Sequence, residues 1–233
     1  MAERDWWLDE RAYAGAEHLD PAYVAAYGSK AGFDPYPDVQ LLRDLGSDAS
    51  QTLVDLGAGD GTFALAAAEV FGRVVAVDVS PAMLDVLRHR IDAGRTANVE
   101  VVAAGLLSYA HEGAPADVVY CRNALHQLPD LWKAVALDRI AAILRPRGLL
   151  RLRDLVLSVD PSGVAAVVEE WLDAAPTDPR AGWTRAELAT HLRGEYSTFS
   201  WLLEPMLARA GFAIEDASYS AARTHAGYLC RRR

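Results

Sequence analysis

The chain has 233 residues, 52% of them hydrophobic and 24% charged, with a formal net charge of -9. That balance suits one generous globular domain with a sizeable core and excludes a wholly disordered chain. The excess of acid opposes a broad polyphosphate-binding surface, since nucleic-acid affinity rests on Lys and Arg neutralising phosphates, so no nucleic-acid partner is expected.

In chain order, charged residues Met1 to Asp5 precede Trp6-Trp7 without an apolar signal core, and no uncharged apolar run is long enough to span a bilayer. A cytoplasmic protein without a membrane partner is the expectation. With Tyr13, Tyr23, Tyr27 and Phe33, residues 1–48 read as a helical N-terminal cap. From 49 to 155, strand-like and helix-like patterns alternate. Thr52-Leu53-Val54-Asp55 reads as a buried strand, and Phe63 to Phe71 as an Ala-rich helix that Gly72 closes. Val74 to Asp78 is a second strand, and Ser80-Pro81 caps a helix running to about Ile91. Val99 to Ala103 and Asp117 to Cys121 read as strands three and four. Asp130 to Leu144 reads as a helix, stopped by Arg145-Pro146-Arg147-Gly148 before a fifth strand, Leu149 to Leu155. Residues 156–233 form an elaboration. It has helices near Ser162 to Ala174, from the capping-box pattern Thr184-Arg185-Ala186-Glu187, and over Phe199 to Ala210. Phe212 to Tyr219 and His225 to Cys230 close it as an antiparallel pair, and Arg231-Arg232-Arg233 reads as a solvated tail.

Alternating strands and helices with apolar strands predict a parallel sheet covered on both faces, and right-handed crossovers make it doubly wound. Ligands then bind beyond the carboxyl ends of the strands. The glycine loop, Asp78, Gly105 and Cys121-Arg122-Asn123 all follow strand ends.

Asp55-Leu56-Gly57-Ala58-Gly59-Asp60-Gly61 is the strongest chemical signal. Glycines at a strand-to-helix turn permit positive φ and close backbone approach, and the following helix N-terminus favours an anionic group. A dinucleotide turn wants G-x-G-x-x-G or A, whereas Gly57, Gly59 and Gly61 follow G-x-G-x-G. Asp78, ending the next strand, suits ribose hydroxyls.

These residues resemble the class I S-adenosylmethionine-dependent methyltransferases of small-molecule type, over about Leu53 to Leu155. Asp55 to Gly61 is similar to the family's first motif and Val77 to Leu84, with Val79 and Met83, to its second. The stretch from Asp117 through Arg122 to His126 is a softer match to the fourth-strand motif. The resemblance implies a Rossmann-like, mostly parallel seven-stranded sheet with its last strand antiparallel, S-adenosyl-L-methionine as cofactor, and Asp78 on its ribose. It also implies an Asp after the third strand for the adenine amino group. Ala103-Ala104-Gly105-Leu106 has none there, leaving the backbone of Gly105 and Leu106 to meet the base.

Methyl transfer from a sulfonium needs positioning, and a base only where the acceptor carries a proton. His126, just past the fourth strand, is the first candidate base. By period two, Arg151 and Arg153 share one face of the fifth strand and Asp154 takes the other. Arg153 is a candidate for an acceptor carboxylate, and Asp154 for a base or orienter. Tyr196, in the segment Glu195 to Trp201, is a candidate acceptor contact, with His18, Tyr23 and Tyr27 as further lining. His89, His111, His191 and His225 have no metal-site spacing and read as structural or exposed; no metal is expected. Cys121 and Cys230 imply no disulfide framework and fit a reducing compartment.

The expected function is methylation of a small-molecule acceptor, on O, N or C, within one methyltransferase domain spanning 1–233. Oligomeric state stays open, with a homodimer as the assembly considered. Other S-adenosylmethionine chemistry, a nicotinamide-dependent oxidoreductase, or a non-catalytic cofactor-binding subunit are the alternatives.

Overall fold

A computed structural model describes residues 5–21, 23–24 and 30–233; Tyr27 lies outside the described residues. The central sheet runs β3-β2-β1-β4-β5-β8-β7. Its strands are β1 (Thr52–Leu56), β2 (Arg73–Asp78), β3 (Val99–Ala103), β4 (Ala116–Arg122), β5 (Leu144–Leu157), β7 (Phe212–Tyr219) and β8 (His225–Arg232). The first five pair in parallel, and β8 runs antiparallel to both β5 and β7. A two-residue strand, β6 (Thr198–Phe199), pairs with β5 beyond this path. The expected doubly wound sheet with an antiparallel last strand is the observed one.

Strand period two distributes the core. Val54, Val75, Val119 and Leu150 pack in one layer, and Leu53, Val74, Val118 and Leu149 in the layer on the other face. Runs of β-branched residues that are buried on both faces form such strands because each face meets helices. The covering helices include α2 (Tyr36–Asp44), α3 (Thr62–Ala67), α4 (Pro81–Gly94) and α5 (Asp130–Ile143). Toward the N-terminus lie a 3-10 turn, Glu10–Tyr13, and α1 (Ala16–Leu19); α6 (Val164–Asp173), α7 (Arg185–Gly194) and α8 (Ser200–Arg209) follow β5. Among the described residues, no helix is long and apolar enough to cross a membrane.

Several boundaries differ from expectation. Arg145 to Gly148 does not separate helix from strand. It lies inside β5, where Arg147 takes φ 62° and the register against β4 shifts between Ala116 and Val118. The helix after the glycine loop is only six residues long. Gly72 does not close it with a positive φ. It lets the chain approach the Ala49 carbonyl, which a Cβ there would strike. Arg231 and Arg232 belong to β8, and Arg231 pairs with Glu215 at 2.5 Å, so these two are not a solvated tail, while Arg233 past the strand is exposed.

Candidate active site

The loop after β1 is built from backbone constraint. Gly57, Gly59 and Gly61 have φ of 77°, 54° and 78°, a region costly for side-chain-bearing residues. The N–H groups of Gly57 and Ala58 donate to the Val77 carbonyl at 2.9 and 3.0 Å, tying the loop to β2. A Cβ at Gly57 would overlap the methyl of Ala124, and one at Gly61 would overlap Leu87. Gly61 therefore serves helix packing, whereas Gly57 and Gly59 line a cleft.

Asp78 organises that cleft. Its Oδ2 accepts from the Gly59 N–H and its Oδ1 from the Ser80 N–H, both at 2.8 Å. Burial raises its carboxyl against those donors. Ser80 caps α4 by accepting from the Met83 N–H at 3.2 Å, which sets Met83 in the wall. Val79, Gly105, Leu106 and Arg122 line the same cleft, of about 100 Å³. Asp55 is buried in the floor of an adjoining hollow with Gly57, Gly59, Tyr120 and Arg122. Burial, then Asp78 and Asp60, hold its carboxyl well above the usual range. Its Oδ2 has no hydrogen-bond partner among the described residues.

The Gly105 N–H is not free to meet a ligand, as the sequence reading supposed, because it donates to Ser108 Oγ at 2.8 Å. A residue absent from that reading stands here instead. Glu10 lines the cleft and accepts from the Leu107 N–H and the Ser108 hydroxyl, each at 2.8 Å.

Beside the cleft lies a larger cavity of about 320 Å³, walled by Trp171, Trp183, His126, His191, Glu195 and His225. His126 Nδ1 meets Asp154 Oδ1, its Nε2 lies 3.1 Å from Glu195 Oε2, and its backbone N–H donates to Asp154 Oδ2 at 2.8 Å. Burial disfavours the charged ring, but Asp154 and Glu195 outweigh it and push the pKa up to about 10. The hydrogen bonds from His126 and His191 likewise overcome burial and hold Glu195 at about 2. Both ring nitrogens of His126 thus face carboxylates, an arrangement that favours the charged ring and opposes the general-base part expected of it. His225, read from sequence as structural or exposed, lines the cavity, and burial lowers its pKa, keeping it neutral. His191, placed with it, reaches Glu195 Oε1 at 2.7 Å.

On the other face, Arg151 and Arg153 converge on buried Asp38, at 2.9 and 2.8 Å. Burial raises the Asp38 carboxyl, and Arg153 and Arg151 overcome it to a net lowering. Arg153 is therefore partly committed within the protein, although it and Arg122 still line a hollow with Ser218 and Ser220. Tyr196 lines none of these cavities. Its ring lies 5.7 Å from that of Tyr13, and its main chain donates to the His126 carbonyl at 2.8 Å. No local signal marked Glu10, His225 or Trp183, since each reaches the site from a distant segment.

Residues 53–148 match the model of a methyltransferase domain. Over 145 residues the chain is 35% identical to the ubiquinone biosynthesis O-methyltransferase of Thiobacillus denitrificans, covering 56% of this chain and 61% of that one. Over 119 residues it is 32% identical to the trans-aconitate 2-methyltransferase of Methylobacterium radiotolerans, covering 50% and 43%. The chain spans about half the length of these curated relatives. The magnesium protoporphyrin IX methyltransferase of Synechocystis PCC 6803, solved with bound SAM, shares the fold. Its TM-score is 0.65 over 99% of this chain and 100% of that one, at 15% identity. Residues 53–148 are thus similar to a methyltransferase domain, and the chain has the fold of S-adenosylmethionine-dependent methyltransferases.

Proposed function

We propose that the chain transfers the methyl group of S-adenosylmethionine to a small-molecule acceptor held in the cavity lined by tryptophan and histidine. The observation that carries this reading is a junction. His18, Arg122, Asn123 and Gln127 line both the glycine-loop cleft and the larger cavity. Two ligands side by side are what an in-line displacement requires, and such positioning can supply much of its acceleration. The names of both curated relatives concern small-molecule acceptors.

The residues of the cleft fit the cofactor. Asp78 suits the ribose hydroxyls, and the unpartnered Oδ2 of Asp55 suits the ammonium of the methionine end. Val79, Met83 and Leu106 supply apolar wall, and Gly57 and Gly59 allow close approach. When bound, the cofactor supplies an electrophilic methyl on a cationic sulfur. In this reading residues 49–155 supply most of the cofactor cleft, Glu10, Ala14 and His18 complete it, and residues of 156–233 with His18 enclose the acceptor.

The chain's own groups then take distinct parts. Asp154 and Glu195 hold His126 fixed and charged, so it shapes the cavity and orients Glu195. For an acceptor that carries a proton, neutral His225 is the group able to take it. Arg122, which borders both the cleft and the cavity, offers a guanidinium to an acceptor carboxylate, whereas Arg153 is held by Asp38 and lines a separate hollow. Tyr196 contributes through its main chain rather than its ring.

The test is incubation with methyl-labelled S-adenosylmethionine and a small-molecule extract. Label is expected in an acceptor product, and His225→Asn should slow its appearance by about 100-fold while leaving S-adenosylhomocysteine affinity unchanged. Turnover of an acceptor with all label retained in the cofactor would replace methylation by other chemistry at the same site.

A further inference from the structure

The loop after β3 carries no acid of its own, and a carboxylate from the N-terminal segment occupies the place where one would stand. Glu10 opens the 3-10 turn and is only 9% exposed. Its head packs so closely on Gly105 that a Cβ at 105 would overlap the carboxylate itself. The room for a side chain there is filled by Glu10. Around it the loop is internally tied. The Leu107 N–H and the Ser108 hydroxyl donate to Glu10, and the Gly105 N–H donates to Ser108 Oγ. Each Glu10 oxygen keeps acceptor capacity beyond these bonds, since a carboxylate has about four lone-pair sites. The neighbouring Leu106 N–H makes no hydrogen bond among the described residues, and Leu106 lines the same cleft.

We propose that Glu10 reads the base of the cofactor, accepting from the 6-amino group of adenine and rejecting a purine with oxygen at that position. The inference rests on the reading of this cleft as an S-adenosylmethionine site. Adenine presents a donor amino group beside the acceptor N1; an acceptor carboxylate beside a free backbone N–H is its complement. Hypoxanthine reverses both groups and would set a carbonyl oxygen against the carboxylate. A site that sets unpaired or repelling groups against the wrong ligand discriminates more sharply than one that only adds attraction. The carboxylate of Asp78 is already placed at the end of β2 for the sugar, so it does not compete for this part. Burial raises the Glu10 carboxyl against the loop's donors, so a further donor from a ligand meets an acceptor short of solvation.

Titration calorimetry with S-adenosylhomocysteine and S-inosylhomocysteine tests this without reference to turnover. The wild-type chain should bind the adenosyl compound at least about tenfold more tightly. Glu10→Gln, which offers a donor as well as an acceptor, should narrow the ratio to about threefold or less. Ser108→Ala removes a tie to Glu10 but keeps the carboxylate. It should shift both affinities together and keep the ratio, whereas a merely structural Glu10 would make the two variants behave alike. Equal wild-type affinity for the two compounds, whatever the folding of the variants, overturns the proposal; so does a ratio unchanged in a folded Glu10→Gln. Failure of wild type to bind S-adenosylhomocysteine at all would instead overturn the reading of the cleft.

Discussion

Both ring nitrogens of His126 are committed to carboxylates, and this commitment decides what the residue can do. Its folded pKa of about 10 stands above the ordinary 6.5. The stability it contributes is therefore fully present below about pH 6.5 and is lost as pH rises through about 10. Glu195, at about 2 against an ordinary 4.5, contributes fully above about 4.5 and loses that as pH falls through about 2. The cluster is complete in the interval between. Histidine-selective carbon-13 NMR should find the His126 ring still an imidazolium at pH 8; a midpoint near 6.5 would contradict the doubly clamped ring and return it to the role of a base. At this scale, sequence reached the residues attached to the glycine motif, because Asp78, Val79 and Met83 follow one strand end. Glu10 bonds a backbone N–H that is 97 positions away, and no pattern within a window can show such a pairing.

The elements were the most legible level, for a physical reason. Strands β1, β2 and β4 are short apolar runs buried against two layers, and such runs announce themselves; β3, at the sheet edge, is half-buried but keeps three valines. The capping box at Thr184, with Glu187 closing it, is likewise present as read. β5 begins earlier than its sequence suggests: Pro146 and Gly148 look like a helix-to-strand break, yet a local bulge at Arg147 absorbs them. The glycine loop links element to site most tightly. Gly57→Ala would place a methyl on Ala124 while demanding a positive φ. It is expected to destabilise the chain by about 1–3 kcal/mol and to weaken S-adenosylhomocysteine binding. Thermal melting with and without ligand measures both, and an unchanged melt would show that the loop tolerates a side chain.

Over the whole molecule, the sheet supplies one wall of the site and the two flanking segments supply the rest. The glycine-loop cleft is lined from the loops after β1, β2, β3 and β4 together with Glu10, Ala14 and His18, and its β1 and β2 part is the one readable as a motif. The larger cavity joins His18 from near the N-terminus with Trp171, Trp183, His191 and His225 from beyond β5. Lys30 reinforces that closure. It pairs with Glu187 on α7 and stands 4.7 Å over the Trp183 ring, an arrangement favourable for a cation on an indole face. Composition and periodicity carry no trace of such an assembly, because it exists only once the crossovers bring strand ends together. The same geometry makes cofactor identity the claim on which every later step depends. Calorimetric titration of the wild-type chain and of Asp78→Ala with S-adenosylhomocysteine and with NADH tests it most directly. The account predicts saturable binding of S-adenosylhomocysteine, weakened about tenfold or more by Asp78→Ala, and none of NADH. Binding of NADH without S-adenosylhomocysteine would contradict it.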